Sequence, residues 1–169
     1  HFGGARQGTF GRHEKGERTM KDTVIFDIDG TLADHSARLP LILERNPPDW
    51  EGFYARIPED RPAQAVCRLL QMIMKADEAE VVLCTGRPES TRADTVRWFG
   101  KHLPEAAGLR LMMRAEKDFR GDVPVKLEML ETLRAEGRRI LFAVDDRAGV
   151  VAMWRKAGVV CLQCREENG

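Results

Sequence analysis

The sequence predicts an α/β domain built on a doubly wound, parallel five-stranded sheet. Short runs of β-branched and other apolar residues recur along the chain, and amphipathic stretches of helical period separate them. The apolar runs show little alternation with polar residues, which is typical of strands that are buried on both faces in a parallel sheet. Right-handed helical crossovers between five such strands produce three layers.

From residue 23 onward the predicted elements alternate. The predicted strands cover residues 24–26, 81–84, 109–113, 140–144 and 159–162, and the predicted helices cover residues 63–76, 91–103, 124–136 and 149–157. Thr91 and Asp94 resemble a capping box at a helix start, and Asp122 is placed to cap the following helix. Gly137 and Gly158 come where the last two helices should end.

One connection is about twice as long as a strand-to-helix connection needs to be. Residues 34–62 follow the first strand, and we expect them to form a small, helical, cap-like insertion. Two short helices, residues 39–45 and 50–56, are predicted there, with Pro47 and Pro48 enforcing the break between them. An insertion at this point lies over the carboxyl ends of the strands, where α/β proteins bind ligands.

The insertion carries three aromatic side chains, Trp50, Phe53 and Tyr54. They are suited either to stacking on a base or covering a site, or to holding the insertion against the domain. We favour the second interpretation, because aromatic side chains usually supply buried area.

Composition is that of an ordinary globular protein. The 169 residues, with a mass of 19.1 kDa, suit one domain. Hydrophobic residues make up 43%, charged residues 32%, and the formal net charge is zero, so a disordered chain is excluded. No apolar run approaches the roughly 20 residues of a membrane helix, and no signal peptide is recognisable, so we expect a cytoplasmic protein without a membrane partner. Zero net charge provides no global attraction to nucleic acid.

Residues 1–19 contain five glycines and no apolar periodicity. We expect a flexible tail, a linker or a cloning remnant there, with Met20 as a candidate native start and residues 20–169 forming the domain. Cys161 and Cys164 form a C-x-x-C pair, but no second pair or nearby histidine completes a metal site. Reduced, half-buried thiols are therefore expected.

Four groups of chemically reactive residues fall at one edge of the predicted sheet. Each alone has a structural explanation, such as a helix cap, a turn or a solvated charge. Together they bring four carboxylates to one place, where their negative charges repel one another most strongly. A bound divalent cation explains this crowding. Hard oxygen ligands suit Mg²⁺, and nearby cations and a hydroxyl suit a second anionic group, so the pattern predicts metal-assisted phosphoryl transfer. The groups are Asp27 with Asp29, the "CTGR" segment at residues 84–87, Lys126, and the "VDDR" segment at residues 144–147.

These motifs resemble those of a known enzyme superfamily. "DIDGTL", "TGR", Lys126 and "DDR" are similar to the four signature motifs of Mg²⁺-dependent phosphatases of the haloacid dehalogenase superfamily, and the resemblance spans residues 23–163. It implies a Rossmann-like sheet of haloacid dehalogenase type. "CTGRPESTRADTVRWF", "RGDVPVKLEML" and "VDDRAGVVAMWRKAGVVCLQ" further resemble the 3′-phosphatase domain of phage polynucleotide kinase–phosphatase. The kinase motif G-x-x-x-x-G-K-[ST] does not occur in these 169 residues, and the insertion is particular to this chain.

The resemblance implies a role for each motif. Asp27 is the expected nucleophile and Asp29 the expected general acid and base, while Thr85 and Lys126 are expected to bind the transferring phosphoryl oxygens. Further substrate-binding residues are expected at Arg38, Arg87 and Asp122. The expected Mg²⁺ ligands are Asp27, the main-chain carbonyl of Asp29, and Asp146, with Asp145 in an outer position.

Three functions remain in consideration. The first is a Mg²⁺-dependent polynucleotide 3′-phosphatase that works through an aspartyl-phosphate and repairs DNA or RNA ends, with a kinase or ligase on another chain as partner. The second is a nucleotide or other small-molecule phosphatase. The third is a catalytically silent phospho-ligand binder, which the intact Asp27 and Asp29 pair disfavours. Five basic residues with acidic residues between them have two interpretations. They form either a cationic track for a nucleic-acid strand or a solvated face of mixed charge. The five are Arg92, Arg97, Arg114, Lys117 and Arg120.

Overall fold

A computed structural model describes residues 22–166. The tail expected at residues 1–19 and the candidate start at Met20 lie outside this range. The strands are β1 (Asp22–Phe26), β2 (Ala33–Asp34), β3 (Arg61–Pro62), β4 (Ala79–Pro88), β5 (Arg110–Arg114), β6 (Ile140–Asp145) and β7 (Cys161–Gln163). The α-helices are α1 (Pro40–Leu43), α2 (Trp50–Ala55), α3 (Gln64–Ala76), α4 (Arg92–His102), α5 (Asp122–Ala135) and α6 (Ala148–Lys156).

The predicted parallel five-stranded sheet is confirmed, with the spatial order β5-β4-β1-β6-β7. β1 lies at the centre and pairs in parallel with β4 and β6, so that Phe26 is the register partner of both Leu83 and Val144. The chain order reverses on either side of β1. The carboxyl ends of β1, β4 and β6 therefore meet at a topological switch point, where such sheets bind ligands.

Two hydrophobic clusters cover the two faces of the sheet. Val24 and Phe26 of β1 point to a cluster that contains Leu70 of α3 and Trp98 of α4. Ile25, one residue out of phase, points to the opposite cluster, which contains residues of α5 and α6. This alternation is the period-two arrangement of a strand covered on both faces, and it fixes the orientation of the residues that follow β1.

Some helix-capping predictions were wrong. Asp122 is the first residue of α5 rather than its cap, because Gly121 is the N-cap residue and makes no side-chain cap bond. Thr91 is the N-cap residue of α4, but its hydroxyl donates to the Pro88 carbonyl at 2.8 Å and not to the helix. The predicted stop at Gly137 is confirmed, since this residue adopts a φ of +79° just after α5, and Gly158 does the same after α6 at +80°.

The insertion is present between β1 and α3. Its helices α1 and α2 are shorter than predicted, and β2 and β3 form an antiparallel ribbon at its neck that was not predicted. Phe53 is buried, with 5% of its surface exposed, so the expected anchoring role holds for this ring. Trp50 is 50% exposed, so the expectation was wrong for that residue. Among the described residues, no helix has the length and apolar character to span a membrane.

Candidate active site

Asp27 follows β1 directly and forms the floor of the candidate site. Its carboxylate is buried, and the Thr31 hydroxyl donates a hydrogen bond of 3.1 Å to its Oδ2 atom. The chain then turns sharply. Gly30 adopts a φ of +84°, and its N–H donates to the Ala33 carbonyl at 2.8 Å. A positive φ is readily available to glycine, so the Gly-Thr sequence lets the chain fold back beneath the carboxylate.

Lys126 reaches the floor from α5 and is buried. Its Nζ atom donates to Asp27 Oδ1 and to Asp145 Oδ2, both at 2.7 Å, and the Trp154 indole N–H also donates to Asp145 Oδ2 at 3.2 Å. Because α5 starts two residues earlier than predicted, Lys126 lies just beyond the first turn of the helix rather than within it. Burial lowers the pKa of Lys126, but the Asp27 and Asp145 carboxylates outweigh this effect, so the pKa is raised and the side chain is an ammonium.

Asp27, Asp145 and Asp146 form a buried acidic group. One carboxylate oxygen from each lies within 4.8 Å of the others. Asp146 Oδ1 is buried and accepts no hydrogen bond from the described part of the chain. A Cβ atom on Gly30 would lie 2.0 Å from Asp146 Oδ2, so glycine is needed for the carboxylate to approach the turn.

The electrostatics of this group suit a divalent cation. Burial, together with the neighbouring acids, raises the pKa of Asp27 well above its usual range and the pKa of Asp146 to about 6. Lys126, and Arg165 at 3.7 Å from Asp146 Oδ2, offset part of the negative charge of the three acids, and a divalent cation would offset what remains. Hard carboxylate oxygens, one of them without a partner, fit Mg²⁺. The Asp29 side chain is not part of the group, which leaves its main-chain carbonyl as the predicted ligand.

Asp29 is held by two buried guanidinium groups. Arg87 donates from Nε to both carboxylate oxygens at 3.1 Å and from Nη2 to Oδ1 at 2.6 Å, and Arg38 Nη2 donates to Oδ1 at 2.5 Å. Burial raises the pKa of Asp29, but Arg87 and then Arg38 outweigh it and hold the pKa well below its ordinary value. The predicted acid and base is therefore a carboxylate when no substrate competes for the arginines.

Asp60 completes this cluster, and sequence reasoning missed it. It accepts from Arg38 Nε at 2.9 Å, from Arg38 Nη2 at 2.8 Å and from Arg87 Nη2 at 3.2 Å. Its main-chain carbonyl accepts from the Trp98 indole at 2.8 Å. Asp60 belongs to "PEDRP", a segment with the composition of an exposed loop, and nothing local signals that this carboxylate is buried.

Two other predicted site residues lie beside these clusters. Thr85, buried near the end of β4, accepts a hydrogen bond from the Arg87 N–H at 3.2 Å. Asp122 accepts from Arg114 Nη2 at 2.5 Å and forms a second ion pair with Arg147. A Cβ atom on Gly86 would lie 2.4 Å from Asp122 Oδ1, so this carboxylate also packs closely against the end of β4. Substrate binding by Asp122 stays a prediction.

Four of the five residues considered for a cationic track are paired with acids in the described structure. Arg92 contacts Glu89 at 2.7 Å, and Arg97 contacts Asp94 at 2.6 Å, each within three residues along the chain. Arg120 is bound by Asp118 and Glu128, and Arg114 by Asp122. These contacts favour the alternative interpretation of a mixed charged face, which is solvated except at Arg114, a buried residue.

The fold and a matching family model together place the chain among the phosphatases of the haloacid dehalogenase superfamily. Two solved structures share the fold. A class C acid phosphatase from Bacillus anthracis with tungstate bound has a TM-score of 0.60 at 12% identity, covering 87% of this chain and 69% of that one. A hydrolase from Streptococcus pneumoniae TIGR4 has a TM-score of 0.58 at 13% identity, covering 86% and 94%.

The family can be stated more closely. The family model described as the polynucleotide kinase PNKP phosphatase domain matches residues 21–168, so the chain belongs to that family and to the phosphoric monoester hydrolases. A chain in the structure of the Pnkp1/Rnl/Hen1 RNA repair complex has a TM-score of 0.73 and 26% identity, over 98% of this chain and 49% of that one. A chain in a second structure, of a Pnkp1/Rnl/Hen1 complex, has a TM-score of 0.69 and 27% identity, over 98% of this chain and 53% of that one. The present chain thus spans about half the length of these relatives. The resemblance of its motifs to the phosphatase domain of polynucleotide kinase–phosphatase is confirmed.

Proposed function

We propose that this chain is a Mg²⁺-dependent phosphomonoesterase that removes the 3′-phosphate from polynucleotide ends through an aspartyl-phosphate intermediate. The observation that carries the proposal is the buried floor, where Lys126 fixes the Asp27 carboxylate beside two further acids. Membership of the PNKP phosphatase family and the likeness to chains of an RNA repair complex support a polynucleotide substrate and a repair kinase or ligase as partner.

The reaction divides into two displacements. In the first, an oxygen of Asp27 attacks phosphorus in line, the bond from phosphorus to the 3′-oxygen breaks, and Asp29 gives a proton to that leaving oxygen. In the second, Asp29 takes a proton from water, and the water oxygen displaces Asp27 from phosphorus. Lys126 and Thr85 bind the phosphoryl oxygens during both steps.

Asp27, Asp146 and the Asp29 main-chain carbonyl would hold Mg²⁺, which supplies charge that offsets the repulsion between nucleophile and phosphate.

The two arginines that bind Asp29 also influence its protonation. A phosphate dianion competes for Arg38 and Arg87, since guanidinium groups bind phosphate bidentately. Each hydrogen bond that an arginine transfers to substrate removes support for the Asp29 carboxylate, and this favours the protonated form that the first displacement needs.

The insertion favours a polymer end over an enclosed small molecule. Its helices α1 and α2 contain only four and six residues, which is little material to close over a cleft. A nucleotide or small-molecule phosphatase remains the alternative, and it predicts the opposite substrate preference.

The test compares purified protein on p-nitrophenyl phosphate, on 3′-phosphorylated DNA and RNA oligonucleotides, and on free 3′- and 5′-nucleotides, with Mg²⁺ and with EDTA. We expect Mg²⁺-dependent phosphate release, with the highest kcat/KM on one of the oligonucleotides. Preference for a free nucleotide would support the small-molecule alternative. No turnover of any substrate would support the silent binder.

A further inference from the structure

We infer that Trp50 and Tyr54 form a stacking platform for the nucleobase of the 3′-terminal nucleotide. This aromatic platform rests on the proposed function and adds to it the part of the substrate that the insertion recognises. The ligand is a planar base attached to the leaving alcohol, and the insertion is thereby a specificity element.

The three aromatic rings of α2 differ in exposure, since Phe53 is buried, Tyr54 is partly buried and Trp50 is exposed. The Trp50 and Tyr54 rings stack with centroids 5.9 Å apart and an interplanar angle of 27°. Phe53 meets both rings edge-on, at 5.7 and 5.3 Å, and is itself buried. Phe53 therefore provides the buried area that attaches α2, while half of the Trp50 surface faces solvent.

The helix that carries the platform is fixed independently of any ligand. Asp49 caps α2 by accepting the Gly52 N–H at 2.8 Å, and Arg45 pairs with the same carboxylate at 2.8 Å. A Cβ atom on Gly52 would lie 2.5 Å from Asp49, so the cap depends on this glycine. A preformed ring pair loses little conformational freedom when a ligand stacks on it.

The platform is linked to the residues around Asp29 through Phe53 and Arg38. The guanidinium carbon of Arg38 lies 4.1 Å from the centroid of the Phe53 ring, and the same arginine bonds Asp29. Burial raises the pKa of the Tyr54 phenol, and the charges of Arg114, Asp122, Asp29 and Arg38 also act on it. Tyr54 therefore lies within electrostatic range of Asp29 and Arg38.

The direction of the reaction places the leaving group on this side. The Asp27 side chain is 5% exposed and the Asp29 side chain 21% exposed, so the path from nucleophile to acid runs from the floor toward solvent. In-line attack by Asp27 puts the leaving oxygen opposite it, next to Asp29. The alcohol attached to that oxygen then extends toward the platform. The exposed Trp50 ring, stacked on Tyr54, matches an alcohol that carries a flat base, and nucleobase stacking of this kind changes affinity by about 5- to 150-fold.

Stacking on Trp50 can be followed by quenching of tryptophan fluorescence, because the other two tryptophans, Trp98 and Trp154, are buried. The experiment uses the Asp27→Asn protein with Mg²⁺ and two probes. One is a 3′-phosphorylated trinucleotide, and the other is the same molecule with an abasic tetrahydrofuran residue at its 3′ end. We expect the first probe to quench tryptophan fluorescence and to bind at least about 5-fold more tightly than the second. Trp50→Phe should abolish the quenching while leaving binding nearly unchanged, and Tyr54→Ala should weaken binding of the first probe only.

Turnover provides the matching comparison. In the otherwise wild-type protein, Trp50→Ala should lower kcat/KM by about 5-fold or more on the trinucleotide and leave the abasic probe unaffected. Phe119→Ala, which removes an exposed ring from the loop between β5 and α5, is the matched control and should change neither value. Equal quenching by both probes, or equal losses on both after Trp50→Ala, would overturn the platform. Base-dependent quenching without hydrolysis of either probe by the wild-type protein would support the platform and contradict the proposed function.

Discussion

Replacing Asp60 by alanine should strongly destabilise the fold. The substitution removes a carboxylate that accepts four hydrogen bonds from two buried guanidinium groups, at 2.8, 2.9, 3.2 and 3.2 Å. Arg38 and Arg87 would then share Asp29 as their remaining acidic partner in this cluster. One buried positive charge would be left without compensation.

The magnitude follows from that unpaired charge. Breaking a buried ion pair by removing one partner costs about 3–5 kcal/mol, while small domains unfold with roughly 5–15 kcal/mol in total. With a urea dependence of about 2 kcal/mol per M, the midpoint of unfolding should fall by about 2 M. Asp60→Asn keeps the shape and one acceptor oxygen but not the charge, so its loss should be smaller.

Urea titration followed by circular dichroism measures this effect. The matched control is Glu128→Ala, which breaks a 2.5 Å ion pair to Arg120 on the surface, where the Glu128 side chain is 59% exposed. That change should cost less than about 1 kcal/mol. A double-mutant cycle between Asp60 and Arg38 should show strong coupling. If Asp60→Ala costs no more than Glu128→Ala, the cluster does not stabilise the fold as argued here.

Three further predictions concern the floor and its surroundings. Asp27→Asn should reduce phosphate release from p-nitrophenyl phosphate to background. Its thermal unfolding without Mg²⁺ should begin at no lower temperature than that of the wild type, because a crowded buried charge has been removed. An active variant would exclude Asp27 as the nucleophile. Gly30→Ala should lower activity at limiting Mg²⁺ by at least about 10-fold, since its Cβ atom would lie 2.0 Å from Asp146 and the positive φ adds strain of about 1–2 kcal/mol; Gly100→Ala, where a Cβ meets nothing within 4 Å, is the control. Burial lowers the pKa of His35 to about 4, so between pH 6.5 and 4 the folded state binds fewer protons than the unfolded state. Stability therefore falls as the pH falls, by about 2 kcal/mol at pH 5. Urea titrations should show a flatter pH dependence of the unfolding free energy for His35→Asn, and an unchanged pH dependence would contradict this cause.

The floor of the site was predictable because it follows from topology. Once β1, β4 and β6 are recognised as parallel, the residues after them must meet at one edge, whatever their separation along the chain. Lys126 contacts Asp27 across 99 residues for this reason. The periodicity of the apolar runs was sufficient to place Asp27 at that edge.

The insertion was less predictable because its contacts are not periodic. A two-residue strand such as β2 or β3 has no detectable alternation, and the Arg38 contact with Asp60 depends on the path of the 21 residues between them. Composition also does not distinguish Phe53 from Trp50. Both are large aromatic residues on one short helix, and tertiary packing, including that of Arg38 and His35 against Phe53, decides which ring is covered.

The neck of the insertion has an evolutionary consequence. The β2–β3 ribbon and the bond between Arg38 and Asp60 join the two ends of this segment, and the Asp60 carboxylate also bonds Arg87, so that it orients both arginines that hold Asp29. The residues between the two ends are tethered at a closed base, so they can be exchanged, lengthened or shortened while the reaction chemistry is inherited unchanged. Grafting residues 39–59 from a relative with another preference would then transfer recognition of the alcohol as a module.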